Sequence, residues 1–123
     1  MVRVVGIDHL VIRVSDYEKS KAFYVAALAP LGLNVIADYG TVIGMGDEFP
    51  FLWISGGEAG HVHLAFRADS RKQVDEFYAA AIKAGGKDNG KPGVRTEYSE
   101  NYYAAFVLDP DGHNIEAVCY APA

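Results

Sequence analysis

The chain of 123 residues is long enough for one domain with a hydrophobic core, because half of its residues are apolar. A formal net charge of −5 and a pI of about 5.2 argue against nucleic acid or an anionic membrane surface as a partner. Cys119 is the single cysteine, which excludes an intrachain disulfide and a thiolate metal cluster within the chain. No apolar run approaches the roughly 18 residues of a membrane span, and the N-terminus has no signal-like apolar stretch, so we expect a cytoplasmic protein.

The first half of the chain reads as a strand, a helix and three further strands. The opening segment "VVGIDHLVIRV" is rich in Val, Ile and Leu, as strands are. A helix is predicted to begin at Ser15, with Glu18 at the capping-box spacing, and to end at Leu28-Ala29-Pro30. The short apolar segments "LNVIADY", "TVIGMG" and "PFLWIS" follow as strands.

The second half repeats this order. The segment "HVHLAFRA" predicts a strand, and a helix is predicted to begin at Ser70, with Gln73 three residues on, and to end at Gly85-Gly86. The stretch "AGGKDNGKPG", residues 84–93, is predicted to be a flexible loop, and it lacks the ending of a phosphate-binding loop. The segments "VRTEYSE", "YYAAFVLD" and "HNIEAVCY" are predicted to be the last three strands.

The two halves are related by an internal repeat at a spacing of 54 residues. Residues 9–32 align with residues 63–86 without a gap, and eight of the 24 pairs are identical, including His9 with His63. Unrelated segments of this length share about one or two residues. The repeat indicates a duplicated module.

The repeat defines the predicted fold. Residues 1–123 form a single domain of two modules, one covering about residues 3–55 and the other about residues 61–121, with a linker over residues 55–60. The predicted fold class is α+β, with two βαβββ modules that form a curved mixed sheet around a cleft.

Strand alternation places two histidines and a carboxylate on the polar side of this sheet. His9 and His63 point away from the faces that pack under the helices, and Glu116 lies on the more polar face of the last strand. Two imidazoles and one carboxylate can hold a divalent metal and leave positions open for water or substrate. His61 lies on the same face as His63 and is an alternative ligand, although the repeat favours His63. His113 is treated as incidental.

Three motifs carry a resemblance to a known family. "IDHL" on the first strand, "HLAF" on the fifth and "DPDGHNIE" before the eighth resemble the vicinal oxygen chelate superfamily. This superfamily includes glyoxalase I, extradiol dioxygenases, fosfomycin-resistance enzymes, methylmalonyl-CoA epimerase and bleomycin-binding proteins. The resemblance covers almost the whole chain. It implies metal-ligand positions at His9, His63 and Glu116, and a homodimer whose sites lie within one chain or between two.

The chain departs from several members of this family. Glyoxalase I and the epimerase carry a fourth ligand, and the aligned position here is Trp53, or Leu52 if the register slips by one. Extradiol dioxygenases usually have a tyrosine about ten residues before the glutamate, where this chain has Phe106. The basic cluster of fosfomycin-resistance enzymes is not found in "SENYYAAFVL". The resemblance therefore leaves lyase, isomerase and dioxygenase chemistry open.

The sequence is compatible with two functions. The first is a metalloenzyme that acts on a small oxygen-rich substrate chelated to one divalent ion of Fe, Mn, Ni or Zn. The alternative is a metal-free protein that sequesters a small molecule in the same cleft. No catalytic residue is assigned. The candidate substrate-binding residues are Trp53, Tyr102, Tyr103 and Arg67.

Overall fold

The structure is a computed structural model, and it describes residues 7–123 of the chain. Its elements follow the order β-α-β-β-β twice along the chain. The first half contains β1 (Leu10–Val14), α1 (Tyr17–Leu28), a short 3-10 helix (Ala29–Leu31), β2 (Asn34–Asp38), β3 (Val42–Gly46) and β4 (Pro50–Gly56). The second half contains β5 (His63–Arg67), α2 (Arg71–Lys83), β6 (Lys87–Val94), β7 (Tyr103–Leu108) and β8 (Asn114–Cys119).

The eight strands form two four-stranded sheets with equivalent strand orders, β1-β4-β3-β2 and β5-β8-β7-β6. In each sheet the first strand pairs in parallel with the last, and the other neighbours are antiparallel. This arrangement confirms the predicted α+β fold with its repeated element order. The predicted first strand began at residue 4, so residues 4–6 of that prediction lie outside the described residues, and His9 lies just before β1.

The strand register supports the repeat. Val11 of β1 pairs with Trp53 of β4, and Ala65 of β5 pairs with Glu116 of β8. Ala65 is 54 residues after Val11, so Trp53 occupies the position in the first sheet that Glu116 occupies in the second. Trp53 is therefore the aligned position, as predicted, and the register does not slip to Leu52.

The two helices are capped by different means. Helix α2 begins as predicted, because the Ser70 side chain accepts a hydrogen bond from the backbone N–H of Gln73 at 3.2 Å. The prediction for α1 was wrong by one residue. Asp16 is the N-cap and accepts from the N–H of Lys19 at 3.1 Å, while Ser15 bonds instead to Asp111 in the other module.

The prediction for the sixth strand was wrong. β6 covers Lys87–Val94, and all of it except Val94 lies in the segment predicted to be a loop, whereas most of "VRTEYSE" forms turns. Its Lys, Asp, Asn, Gly and Pro residues have low strand propensity, but pairing with β7 outweighs that preference. The ladder shifts register beside Gly90, where a Cβ would lie 2.8 Å from the ring of Phe106. These shifts are bulges, and they hide the period of two that identifies a strand.

The core lies between the helices and one face of each sheet. Ile12 and Val14 on β1 are fully buried, whereas Val11 on the opposite face is 47% exposed, as the alternation predicted. The helices also pack against each other and join the two modules. None of the helices between residues 7 and 123 is long and apolar enough to cross a membrane.

Candidate metal centre

His63 begins β5, and its ring lies beside β8. The carbonyl oxygen of Asn114 lies 3.1 Å from Nδ1, and because a carbonyl only accepts, Nδ1 carries the proton. When the ring is neutral, Nε2 therefore carries the lone pair that can bind a metal ion. A backbone carbonyl bound to the other ring nitrogen is the usual arrangement for a metal-binding histidine.

Glu116 lies in the middle of β8 and is 2% exposed. Its Oε1 is 3.1 Å from Nε2 of His63, and its Oε2 accepts a hydrogen bond from the hydroxyl of Tyr102. A buried carboxylate is costly unless a positive group or donors meet both oxygens. Tyr102 supplies one donor, and the other oxygen faces His63.

The contact between His63 and Glu116 joins a ring nitrogen and a carboxylate oxygen, and both atoms are common metal ligands. A free lone pair on Nε2 and a carboxylate oxygen repel each other unless a proton or a metal ion lies between them. Two ligands bound about 2.1 Å from one ion, at a right angle, lie about 3.0 Å apart. The observed 3.1 Å separation matches adjacent ligand positions. The residues therefore fit a divalent ion.

Three tyrosine side chains form an aromatic cluster on the Glu116 side of this site. The ring of Tyr102 lies 5.0 Å from that of Tyr98 and 5.3 Å from that of Tyr120. The guanidinium of Arg67 lies 4.6 Å from the centre of the Tyr120 ring. Burial, followed by the bond to Glu116, raises the pKa of the Tyr102 phenol well above its usual value. The phenol therefore stays protonated and acts as a donor.

His9 lies apart from this pair within one chain. Its Nδ1 is 2.8 Å from Oδ1 of Asp8, which leaves Nε2 free as a potential ligand. Among residues 7–123, His9 does not join His63 and Glu116 in a group whose ligand atoms all lie within 4.8 Å of one another. His9 also lines a small cleft on the open side of the first sheet with Trp53, the counterpart of Glu116.

A larger cleft of about 580 Å³ lies between the two modules. Its polar lining comes from His9, His63 and Arg67, and the rest is mostly apolar. The apolar lining includes Leu10, Leu31, Leu33, Phe51, Leu52, Leu64 and Phe66. The two predicted histidine ligands thus share a cleft, although they do not meet at one ion within the chain.

Asp109, Asp111 and His113 also lie close together, with ligand-type atoms within 4.8 Å of one another. Both ring nitrogens of His113 are already used: Nδ1 accepts from the N–H of Val62, and Nε2 lies 3.0 Å from the carbonyl of Arg13. His113 therefore has no free lone pair for a metal.

The two carboxylates beside His113 have structural partners as well. Asp109 accepts from the Tyr24 hydroxyl at 2.6 Å, and Asp111 accepts from the N–H and the hydroxyl of Ser15. These bonds connect the turn before β8 to the first module. We call this group, Asp109, Asp111 and His113, the inter-module clasp. His113, which the sequence analysis treated as incidental, is a buried member of it.

The other residues singled out from the sequence are placed as follows. Tyr103 donates to Asp75 of α2 at 2.6 Å and therefore points to the helix side of the sheet, away from Glu116. His61 is exposed and precedes β5, while His63 makes the contact to Glu116. Tyr102 and Arg67 lie beside the site. The hydrogen bond from Tyr102 to Glu116 was not anticipated, because a period-two pattern does not describe a residue that lies just before β7.

Comparison with known proteins identifies the family. Residues 6–117 match the model of the Glyoxalase/Bleomycin resistance protein/Dioxygenase superfamily. The chain belongs to this superfamily, as the resemblance had implied.

Three relatives illustrate the similarity. The chain is 30% identical over 116 residues to the metallothiol transferase FosB of Shouchella clausii, covering 90% of this chain and 77% of that protein. It is 32% identical to a glyoxalase/bleomycin resistance protein from Albidiferax ferrireducens, with a TM-score of 0.79 and coverage of 94% and 98%. The lactoylglutathione lyase of Agrobacterium tumefaciens has a TM-score of 0.70 over 94% of each chain, and at 17% identity it supports the fold alone.

Proposed function

We propose that the protein is a divalent-metal-dependent enzyme that acts on a small, oxygen-rich substrate, with His63, Glu116 and His9 as metal ligands. The observation that carries this proposal is the approach of Nε2 of His63 to a buried Glu116 oxygen at 3.1 Å, with Nδ1 held by a backbone carbonyl. The donor set suits Fe, Mn, Ni or Zn and does not choose among them. The 30% identity to a protein named as a metallothiol transferase supports a metal-dependent function.

In this proposal the third ligand, His9, comes from a second copy of the chain. Within the described residues, β1 pairs only with β4 and β5 pairs only with β8, so each sheet ends in an edge strand next to a histidine. Edge strands present unpaired backbone groups and are commonly covered by another element or chain. A symmetric dimer that brings β1 of one copy beside β5 of the other would carry His9 to His63 and Glu116, twice per dimer.

The residues around the ion would then bind and orient the substrate. A bound divalent ion would polarise the oxygens of a chelated substrate. Arg67 lies on the same face of β5 as His63 and offers a positive charge to an anionic group of that substrate. The apolar lining of the 580 Å³ cleft would exclude water from the non-polar part of that substrate. Lyase, isomerase, dioxygenase and group-transfer chemistry are all compatible with this arrangement.

A second function, metal-free binding of a small molecule, is favoured by one observation. The larger cleft is mostly apolar, and such a cleft binds hydrophobic molecules without a metal. Under this alternative the His63–Glu116 contact is an ion pair with a protonated imidazole.

Metal titration separates the two functions. Mn(II) and Zn(II) are titrated into the parent, into Glu116→Gln and into Glu76→Gln, a control on the exposed face of α2. Glu116→Gln removes the charge at constant shape, and we expect at least about a tenfold loss of affinity. The control is expected to bind like the parent. Equal affinity in Glu116→Gln and parent would overturn the proposal, and an absence of binding in all three would favour the metal-free function.

A further inference from the structure

Tyr102 holds one oxygen of the central carboxylate, and this contact has a consequence for metal coordination. We propose that Tyr102 is a positioning residue that restricts Glu116 to binding the ion through one oxygen. This inference rests on the proposed function, because it concerns the same ion. It assigns to Tyr102 a role in setting how many coordination positions stay open for substrate.

The two oxygens of Glu116 have different neighbours. Oε1 faces Nε2 of His63, where the ion is proposed to bind, and Oε2 accepts the hydrogen bond of Tyr102. Glu116 is 2% exposed, so bulk water has little access to replace that bond. Phe106 lies directly opposite Glu116 in the β7–β8 register and has no donor to offer. The hydrogen bond to Oε2 therefore depends on Tyr102.

Packing keeps the phenol of Tyr102 in this place. Its ring lies edge-on to Tyr120, whose own ring carries the Arg67 guanidinium at 4.6 Å, and Tyr98 lies 5.0 Å away. Aromatic pairs in these arrangements contribute beyond the area they bury. A side chain that is held in one orientation can prevent a carboxylate from rotating to give both oxygens to an ion.

Coordination with one oxygen matters for a substrate that chelates the ion. An octahedral ion with three protein ligands keeps about three positions for water or substrate, whereas bidentate Glu116 would leave about two. A substrate that binds through two oxygens would then displace every water. Tyr102 thus preserves one position beside the chelated substrate for water or a second reactant.

The number of water molecules on bound Mn(II) tests this role directly. Water-proton relaxation is measured per bound Mn(II) in the parent, in Tyr102→Phe and in Tyr103→Phe. The control removes a neighbouring hydroxyl that bonds to Asp75 on the helix side. In Tyr102→Phe the freed oxygen is expected to bind the ion, which lowers the relaxation enhancement per ion by about one third. Tyr103→Phe is expected to match the parent.

The outcomes distinguish this inference from the function on which it rests. Equal enhancement per ion in Tyr102→Phe and parent would overturn the role of Tyr102 and leave the metal site standing. Failure of the parent to bind Mn(II) would overturn both. X-ray absorption of the Mn(II)-loaded parent gives a test without any variant, because bidentate Glu116 there would contradict the inference and one-oxygen binding would support it.

Discussion

At His63, one hydrogen bond fixes which ring nitrogen is directed at Glu116. The carbonyl of Asn114 accepts a hydrogen bond from Nδ1–H, and Nε2 then faces the Glu116 carboxylate. Alternation along β5 and β8 was sufficient to place both side chains on one face. It did not reveal that Glu116 is nearly fully buried, because burial depends on Tyr102 and on neighbouring strands distant in sequence. The choice of His63 over His61 came from the repeat, and the contact to Glu116 agrees with it.

A prediction at the scale of single residues concerns Trp53. Its register position in the first sheet is that of Glu116 in the second, and it lines a cleft with His9. Trp53→Glu is therefore expected to place a carboxylate beside His9 and to supply a fourth ligand. Loss of the indole packing against Gly44 and Tyr39 is expected to cost about 1–3 kcal/mol of stability without abolishing folding.

A metal-loaded crystal structure of the Trp53→Glu variant checks this prediction, with urea unfolding to measure the stability change. An introduced carboxylate that points away from the ion, or that binds no ion together with His9, would contradict the assigned register.

At the scale of elements, the inter-module clasp explains why the "DPDGHN" turn carries so many polar residues. Asp109, 4% exposed, accepts from the hydroxyl of Tyr24 on α1 and from two backbone N–H groups of its own turn. These bonds connect the two modules through a turn rather than through a sheet. The sequence indicated the turn, but not its partners, because contacts between residues 85 positions apart leave no local pattern.

The clasp leads to a prediction about alkaline pH. Burial, followed by the charge of Asp109, raises the pKa of Tyr24 above its unfolded value. Above about pH 10 the unfolded tyrosine ionises while the folded one keeps its proton, so stability falls by about 1.4 kcal/mol per pH unit from this residue. Tyr24→Phe removes this contribution, and it lowers stability by about 1–2 kcal/mol at neutral pH because Asp109 loses a donor.

Urea unfolding of the parent and of Tyr24→Phe at pH 7, 10 and 11 measures both effects. The expected result is a less stable variant at pH 7 whose stability falls less steeply above pH 10. Equal slopes in the two proteins would show that Tyr24 ionises alike in the folded and unfolded chain, which would contradict its complete burial beside Asp109.

The elements themselves were mostly predictable from the sequence. Helix α2 and six strands lie where their caps or apolar composition placed them, namely β2, β3, β4, β5, β7 and β8. β6 was missed because its residues form a strand only through pairing with β7. The start of α1 was misplaced by one residue because Ser15, a good capping residue, is used by the clasp to hold Asp111.

At the scale of the whole molecule, the proposed metal site requires two copies of the chain. One copy brings His63 to Glu116 and leaves His9 elsewhere in the inter-module cleft. The repeat indicated the proposed ligand set, His9, His63 and Glu116, from sequence. It did not decide whether the two modules meet within a chain or between chains, because both arrangements place the same residues on the same faces.

Complementation between two defective chains tests the central claim most directly. His9→Ala and Glu116→Gln chains are co-expressed with different tags, and the heterodimers are purified by both tags and titrated with Mn(II). Each homodimer lacks a ligand at both sites, whereas a heterodimer with shared sites regains one intact site of its two. We predict high-affinity binding at about half the stoichiometry of the parent dimer. Heterodimers that bind Mn(II) no better than the two defective homodimers would contradict a site built from His63 and Glu116 of one copy and His9 of the other.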